Sequence, residues 1–157
     1  EFDLRPFNLL KNCRNTEKIA KAAYGYVGET PNMFQHSPEG EDVKIRNLKE
    51  EKNLIPEIND IVSKLVEKEK GNISSITILT TKSTKKSILW SQRYKLNFNI
   101  STKRGEKGKI FFSSIKRFKG LDSDIVILMD VNDSISELDL YTGTSRAKHK
   151  LFILNST

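Results

Sequence analysis

Cations and hydroxyl groups occur together in a few short segments of the 157-residue chain. Four segments have this composition, residues 12–16, 80–83, 113–122 and 144–148, and the third also contains a glycine. The third suits phosphate oxygens, because a glycine lets the backbone approach an anion closely while hydroxyl groups and lysines donate hydrogen bonds to it. The same composition also fits an ordinary solvated loop that turns at a glycine, and from composition alone that alternative stays open.

Two arginines lie where predicted secondary structure would hold them. Arg14 precedes a predicted helix by two residues, and Arg146 lies near the end of the last predicted helix. A guanidinium group held in this way can stabilise the charge on a phosphoryl group during its transfer. Most arginines are solvated surface residues, so neither position identifies a phosphate site by itself.

The sequence lacks the loop with which many nucleotide hydrolases hold phosphate. No glycine is followed at the required spacing by Gly-Lys-Ser or Gly-Lys-Thr, and the nearest candidate, Gly108-Lys109-Ile110, does not fit. Asp130 closes an apolar run as the magnesium-binding aspartate of such enzymes does. Without the phosphate loop we interpret Asp130 as an acid at the end of a strand, and we expect no ATP hydrolysis by this chain alone.

Cysteine and histidine are too sparse for a metal site. The single cysteine, Cys13, excludes an internal disulfide framework and a zinc site built on several thiolates. His36 and His149 are far apart and have no carboxylates at ligand spacing. The sequence therefore predicts no metal site, and its cysteine content is typical of a reducing cytoplasm.

Length and composition limit the class of protein. The chain has about the length of one domain, and its 36% hydrophobic and 30% charged residues suit one core with a solvated exterior. Its formal net charge of +7 favours a polyanionic partner. The longest apolar runs, residues 125–129 and 151–154, are too short to span a bilayer, so we expect no membrane segment. Because Glu1 stands where a methionine would begin a chain, we expect an excised piece of a longer protein.

Helices and strands are predicted to alternate along the chain. The spacing of apolar residues indicates helices over residues 16–27 and 54–68, after Ser83, and from Ser134 to about Lys148. It indicates strands at residues 43–46, 76–81, 97–101, from 110, at 124–130 and at 151–154, with a charged turn over 103–109. This order predicts a single α/β domain with a mostly parallel central sheet and helices on both faces. Ligands of such sheets bind beyond the carboxyl ends of the strands, so we expect the four polar segments there.

Taken together and in order, these segments resemble the second motor domain of superfamily 1 DNA helicases of the UvrD/Rep type. Residues 12–16, Asn-Cys-Arg-Asn-Thr, are similar to that family's fourth motif. Residues 118–122, Phe-Lys-Gly-Leu-Asp, resemble the fifth, and residues 140–148 resemble the sixth. Residues 76–81 fit the strand that carries a further DNA-contacting segment. The resemblance implies one RecA-like domain, residues 1–157, that lacks the lobe with the phosphate loop.

The resemblance also implies a nucleotide site. Arg14 and Arg146 would contact the γ-phosphate of ATP, the second as an arginine finger. Asp122, with Gly120 beside it, would reach the nucleotide, although the family usually has the longer glutamate at this position. ATP and its magnesium would be bound mainly by the missing first lobe, so the implied partner is the N-terminal motor lobe of the same protein.

A track for single-stranded DNA is implied as well. Ser114 and Lys116 would contact the DNA backbone, and Thr80 or Thr81 is a further candidate. Alternating closure and release of the two lobes would then move the protein along the strand.

Two other functions remain open at this stage. UvrD/Rep enzymes carry a large extra subdomain in this lobe, and 157 residues leave no room for one. The chain could therefore belong to a related ATPase that serves a nuclease or another effector without processive unwinding. It could also be a basic module that binds nucleic acid and has no motor function.

Overall fold

The computed structural model of the protein describes residues 12, 14–68 and 72–156. Cys13, for which we predict no role, lies outside the described residues. The helices and strands are α1 (Glu17–Gly25), β1 (Lys44–Asn47), α2 (Leu54–Lys68), β2 (Ile76–Thr80), α3 (Ile88–Ser91), β3 (Asn99–Ser101), β4 (Lys109–Ser114), β5 (Ser123–Val131), α4 (Glu137–Thr144) and β6 (Ala147–Asn155).

The strands form one six-stranded sheet in the order β1-β6-β5-β2-β4-β3, and every neighbouring pair is parallel. The nine-residue strand β5 lies near the centre, and its last seven residues are buried. A strand covered on both faces must be almost continuously apolar, which is the pattern that residues 124–130 show. The prediction of a single α/β domain around a parallel sheet is confirmed.

Successive residues of the central strands pack on opposite faces of the sheet. On one face, Ile127 belongs to the same buried cluster as the apolar stripe of α2 and Leu89 of α3. On the other face, Val126 and Leu128 pack with Ile19 of α1 and with Phe118. This alternation is the two-residue period of a strand, and it places helices on both sides of the sheet. Within the described ranges, no helix has the length and apolar character needed to cross a membrane.

The last helix is shorter than predicted and the last strand is longer. Helix α4 ends at Thr144 and β6 begins at Ala147, so Arg146 lies in the connection and Lys148 in the strand. The side-chain amide of Asn15 donates hydrogen bonds to the carbonyls of Ser145 and Ala147. Because these bonds come from another segment, they hold the chain extended where helical periodicity alone would continue the helix.

Two helix starts also differ from the prediction. The N-cap of α4 is Ser136, whose hydroxyl accepts a hydrogen bond from the backbone of Asp139 at 3.1 Å, so the predicted start at Ser134 is wrong. After Ser83 the chain forms a 3₁₀ turn, and α3 begins only after Ser87, whose hydroxyl accepts from the backbone of Leu89. Each true cap offers a side-chain oxygen to the first turn of its helix.

Residues 115–122 cross from one edge of the sheet to the other in a single compact turn. Ser114 ends β4 at the carboxyl edge, and Ser123 begins the parallel strand β5 at the amino edge. Phe118 anchors the turn in the core, and Gly120 has a φ of +83°, a conformation that favours glycine. The expectation that all four polar segments lie at the carboxyl edge is therefore wrong, because Asp122 and Arg146 each precede a strand.

Candidate functional site

Asn15 joins two distant segments at the amino edge of the sheet. Its buried side-chain amide donates to the carbonyl of Ser145 at 2.9 Å and to that of Ala147. Asn12 supports this arrangement, because its side-chain oxygen accepts from the backbone of Arg14 and of Asn15, each at 3.1 Å. The segment that carries Arg14 is thereby fixed against the segment that carries Arg146.

The two arginines meet at the residues that lead into β5. Nε of Arg14 lies 3.7 Å from Oδ2 of Asp122, and Nη1 of Arg146 donates to the carbonyl of Leu121 at 3.4 Å. Lys148 approaches the same carboxylate, with 3.9 Å between its Nζ and Oδ1 of Asp122. The structure therefore brings together Arg14, Arg146 and Asp122, which the sequence places far apart.

This site holds more positive charge than its carboxylate neutralises. Burial lowers the pKa of Arg146, and the positive charge of Arg14 lowers it further, whereas Tyr141 and Asp122 act in the opposite direction. Nε of Arg146 is buried and has no hydrogen-bond partner among the described residues. Two guanidinium groups that repel each other, one with an unused donor, form a site in which an anion is favourable.

A basic cleft of about 480 Å³ adjoins Asp122. Its cations come from the turn before β4, from the first residue of β4 and from the start of β6: Lys103, Arg104, Lys107, Lys109 and Lys148. Three carboxylates, Glu106, Asp122 and Asp124, also line it. Arg104 donates to the carbonyl of Asp122 at 3.2 Å, and its guanidinium carbon lies 5.8 Å from the centre of the Phe118 ring. We did not predict a role for Arg104, although a charged turn directly before a strand is a signal for this edge of the sheet.

Gly120 lies close to the site in sequence, but the structure gives it a conformational role. A Cβ atom built on it would meet nothing within 4 Å, so its positive φ, and not a close neighbour, requires glycine there.

The four residues predicted to contact DNA lie at the opposite, carboxyl edge of the sheet. Thr80 and Ser114 are register partners on the adjacent strands β2 and β4, and both are buried. Thr81 is half-buried and donates to the backbone carbonyl of Asp130 at 2.6 Å, and Lys116 is exposed. Of these four residues, Thr81 and Lys116 are therefore the ones whose side chains reach solvent.

The solved structures include a similar fold. The C-terminal domain of a possible DNA helicase from Lactobacillus plantarum WCFS1 matches with a TM-score of 0.68 and 17% identity, over 91% of this chain and 86% of that one. The helicase of PRRSV matches with a TM-score of 0.47 and 14% identity, over 94% of this chain and 23% of that one. The sequence matches no protein-family model and no curated protein. At 17% identity, the match to the Lactobacillus domain shows that the two chains share a fold.

The site contains donors for an anion and few ligands for a metal ion. Among the described residues, no group of three or more His, Cys, Asp or Glu side chains is arranged to hold a metal. Arg14, Arg146 and Lys148 offer several N–H donors, which suit the oxygens of a phosphate group. The amino edge can therefore bind an anion, while the exposed cations and hydroxyl groups of the carboxyl edge face a separate surface.

Proposed function

We propose that this chain is the C-terminal motor lobe of an ATP-dependent DNA helicase. The observation that carries the proposal is the meeting of Arg14 and Arg146 beside Asp122, with unneutralised positive charge between them. The fold shared with the C-terminal domain of a possible DNA helicase agrees with it. The companion lobe would hold the phosphate loop and the magnesium, and this lobe would add its arginines to the terminal phosphate.

The residues at the amino edge fit that terminal phosphate. The contact between Arg14 and Asp122 is long, at 3.7 Å, and both side chains are more than a third exposed. An ion pair of this kind contributes little stability, so a phosphate can replace the carboxylate at small cost. The buried Nε of Arg146 would gain a partner in the same step. When bound, magnesium-ATP would supply the transferable phosphoryl group, and Arg14 and Arg146 would hold its terminal phosphate.

Arg14 and Arg146 would couple lobe closure to the nucleotide. With no anion bound, the two arginines repel each other, and closure of the companion lobe over their unneutralised charge would cost free energy. A phosphate removes this repulsion, and the closed arrangement places both guanidinium groups on the charge that grows during hydrolysis. Release of the phosphate restores the repulsion and opens the cleft.

The carboxyl edge would hold the DNA strand. Lys116 and Thr81 would contact its phosphates, with Thr80 and Ser114 packed behind them in the sheet. Because the nucleotide and the DNA would use opposite edges of the same strands, closure at one edge would change the grip at the other.

ATP hydrolysis by the chain joined to its companion lobe tests the proposal. We expect Arg146→Ala to lower DNA-stimulated turnover about 10³-fold, as removal of an arginine finger does. Arg46→Ala is the matched control, since Arg46 pairs with Glu57 on β1 and α2, away from Asp122, and its loss should leave turnover within about twofold. Undiminished turnover in Arg146→Ala would disprove the assignment. A strand-displacement assay then separates a helicase from an effector ATPase, which would hydrolyse ATP without displacing a strand.

A further inference from the structure

The connection between β2 and β3 is unusually basic. Residues 82–95 contain five Lys or Arg residues, and no Asp or Glu occurs between Glu69 and Glu106. This connection contains the 3₁₀ turns Thr84–Lys86 and Arg93–Lys95 on either side of α3. The local excess of positive charge is large for a chain whose total net charge is +7, so the connection can attract polyanions.

Four cations of this connection have no acidic partner within the part of the chain that the structure describes. Lys85, Lys86, Arg93 and Lys95 are all exposed, and none forms an ion pair with a carboxylate of the described residues. Some lysines elsewhere are paired with carboxylates, as Lys21 is with Glu17 at 2.8 Å. Cations without carboxylates are free to bind phosphate groups, and the counterions they release favour that binding.

An exposed aromatic ring lies among these cations. Tyr94 is 76% exposed, more than any other large hydrophobic residue described. Nζ of Lys95 lies 5.7 Å from the centre of its ring, and most of the ring remains in solvent. Four residues earlier, Trp90 is covered by the guanidinium of Arg93 at 4.3 Å and stacks on Phe112 in the core. Tyr94 is therefore the ring that remains available to a ligand.

The surface formed by Tyr94 and the neighbouring cations lies on the carboxyl half of the domain. The amide of Asn59 donates to the carbonyl of Lys95 at 3.1 Å, and its oxygen accepts from the backbone of Asn97 at 2.9 Å. Asn59 belongs to the second turn of α2, which begins after β1 at the carboxyl edge. A groove of about 590 Å³ lies between the start of α2 and this connection, with Lys95 on its wall. Tyr94 thus lies on the same half of the molecule as Thr81 and Lys116.

We infer that Tyr94 and its neighbouring cations form a stacking site for single-stranded DNA. The Tyr94 ring stacks on one base, while Lys85, Lys86 and Lys95 bind the phosphates on either side. A single strand fits better than a duplex, because only an unpaired base offers its face to an exposed ring. The inference rests on the proposed function for its choice of DNA, and it adds a contact surface separate from the arginines of the amino edge.

Binding of a fluorescein-labelled oligo-dT strand to the 157-residue chain tests this site by fluorescence anisotropy over a salt series. We expect Tyr94→Ala to weaken binding about tenfold and Tyr94→Phe to bind within about twofold of the natural chain, because stacking requires the ring and not the hydroxyl. Phe34→Ala is the control for loss of an exposed aromatic residue at another place, since Phe34 is 45% exposed.

Removal of Lys85 and Lys86 should make DNA binding less dependent on salt. The double variant Lys85→Gln/Lys86→Gln should make the plot of log affinity against log salt shallower by about 0.7 for each lysine removed. Lys21→Gln/Lys64→Gln removes the same charge from two lysines that are paired with carboxylates and should change this slope much less. Trp90 is the one tryptophan of the chain, so its fluorescence reports binding at this connection.

Three results would overturn the inference. They are equal affinity of Tyr94→Ala and the natural chain, unchanged Trp90 fluorescence at saturating DNA, and equally tight binding of duplex DNA or an acidic peptide. The proposed function fails separately, because its test measures the effect of Arg146 on ATP hydrolysis at the opposite edge. Circular dichroism of each variant excludes loss of the fold as the cause of weaker binding.

Discussion

The hydroxyl of Thr80 donates a 2.6 Å hydrogen bond to the carboxylate of Asp130 across the neighbouring strands β2 and β5. Ser87 donates to the same carboxylate oxygen at 3.2 Å, and Nζ of Lys82 lies 3.8 Å from the other oxygen. Asp130 is buried, with a φ of +58° that few residues other than glycine adopt. Its charge is therefore balanced by this small network, which agrees with a structural role at the end of the strand.

Loss of the Asp130 carboxylate should destabilise the domain. In Asp130→Ala the buried hydroxyls of Thr80 and Ser87 lose their acceptor, and alanine tolerates the positive φ poorly. We expect the free energy of unfolding to fall by about 3 kcal/mol, measured by urea denaturation. Asp130→Asn keeps an acceptor and a residue type that tolerates this backbone, so it should cost only about 1 kcal/mol.

The control for this prediction is Asp133→Ala. Asp133 is exposed three residues further along the chain, and its loss should change the free energy of unfolding by less than about 0.5 kcal/mol. Equal stability of Asp130→Ala and the natural chain would show that the network around Thr80 contributes nothing.

Asn15 should matter for stability and for the placement of Arg14 beside the segment of Arg146. Asn15→Ala removes two buried hydrogen bonds to the carbonyls of Ser145 and Ala147, and we expect a loss of about 2 kcal/mol in the free energy of unfolding. Asn15→Asp should cost more, because a carboxylate would face carbonyl oxygens that need donors. The exposed Asn99 provides a control as Asn99→Ala. If Asn15→Ala were as stable as this control, Asn15 would not hold the two arginine segments together.

Periodicity predicted the architecture because it reports which residues face a core. The apolar run over 124–130 and the stripe of α2 indicated a covered parallel sheet, and both are buried as expected. The end of α4 could not be predicted in the same way. It depends on hydrogen bonds from Asn15, about 130 residues away, and no local pattern records that contact.

The placement of the site was only partly predictable. The sequence singled out Arg14, Asp122 and Arg146, but it did not show that they lie at the amino edge. For Asp122 and Arg146 that placement follows from the parallel order of the strands, because they directly precede β5 and β6. Arg14 precedes a helix, and it reaches this edge through the hydrogen bonds that join Asn15 to the segment of Arg146, which no local pattern records.

The stability of the domain should fall at alkaline pH because two of its tyrosines are partly buried. Burial raises the pKa of Tyr141, and Tyr24 raises it by a smaller amount; the centres of the two rings lie 5.4 Å apart, edge to face. Burial also raises the pKa of Tyr26. The unfolded chain therefore loses these protons near pH 10 while the folded chain keeps them, so stability falls as pH rises through the raised values. Urea denaturation between about pH 9 and pH 11 should show a shallower fall for Tyr141→Phe than for the natural chain. Tyr94→Phe, which removes an exposed phenol, is the control, and identical slopes in all three proteins would contradict the prediction.

Asp122 should compete with an anion for Arg14 and Arg146. Its carboxylate lies 3.7 Å from Nε of Arg14 and 3.9 Å from Nζ of Lys148, and it is also one of the charges that raise the pKa of Arg146. Asp122→Asn removes this negative charge with little change in shape. We therefore expect the isolated chain to bind inorganic tripolyphosphate about threefold to tenfold more tightly, measured by calorimetry at low salt.

The same variant separates binding of the phosphates from catalysis. If Asp122 also positions the nucleotide, Asp122→Asn joined to the companion lobe should hydrolyse ATP more slowly although its arginines bind polyphosphate more tightly. The control is Asp60→Asn, which removes a carboxylate that pairs with Lys64 on α2 and should change neither measurement beyond about twofold. Unchanged or weaker tripolyphosphate binding by Asp122→Asn would show that the arginines do not form an anion site at this edge.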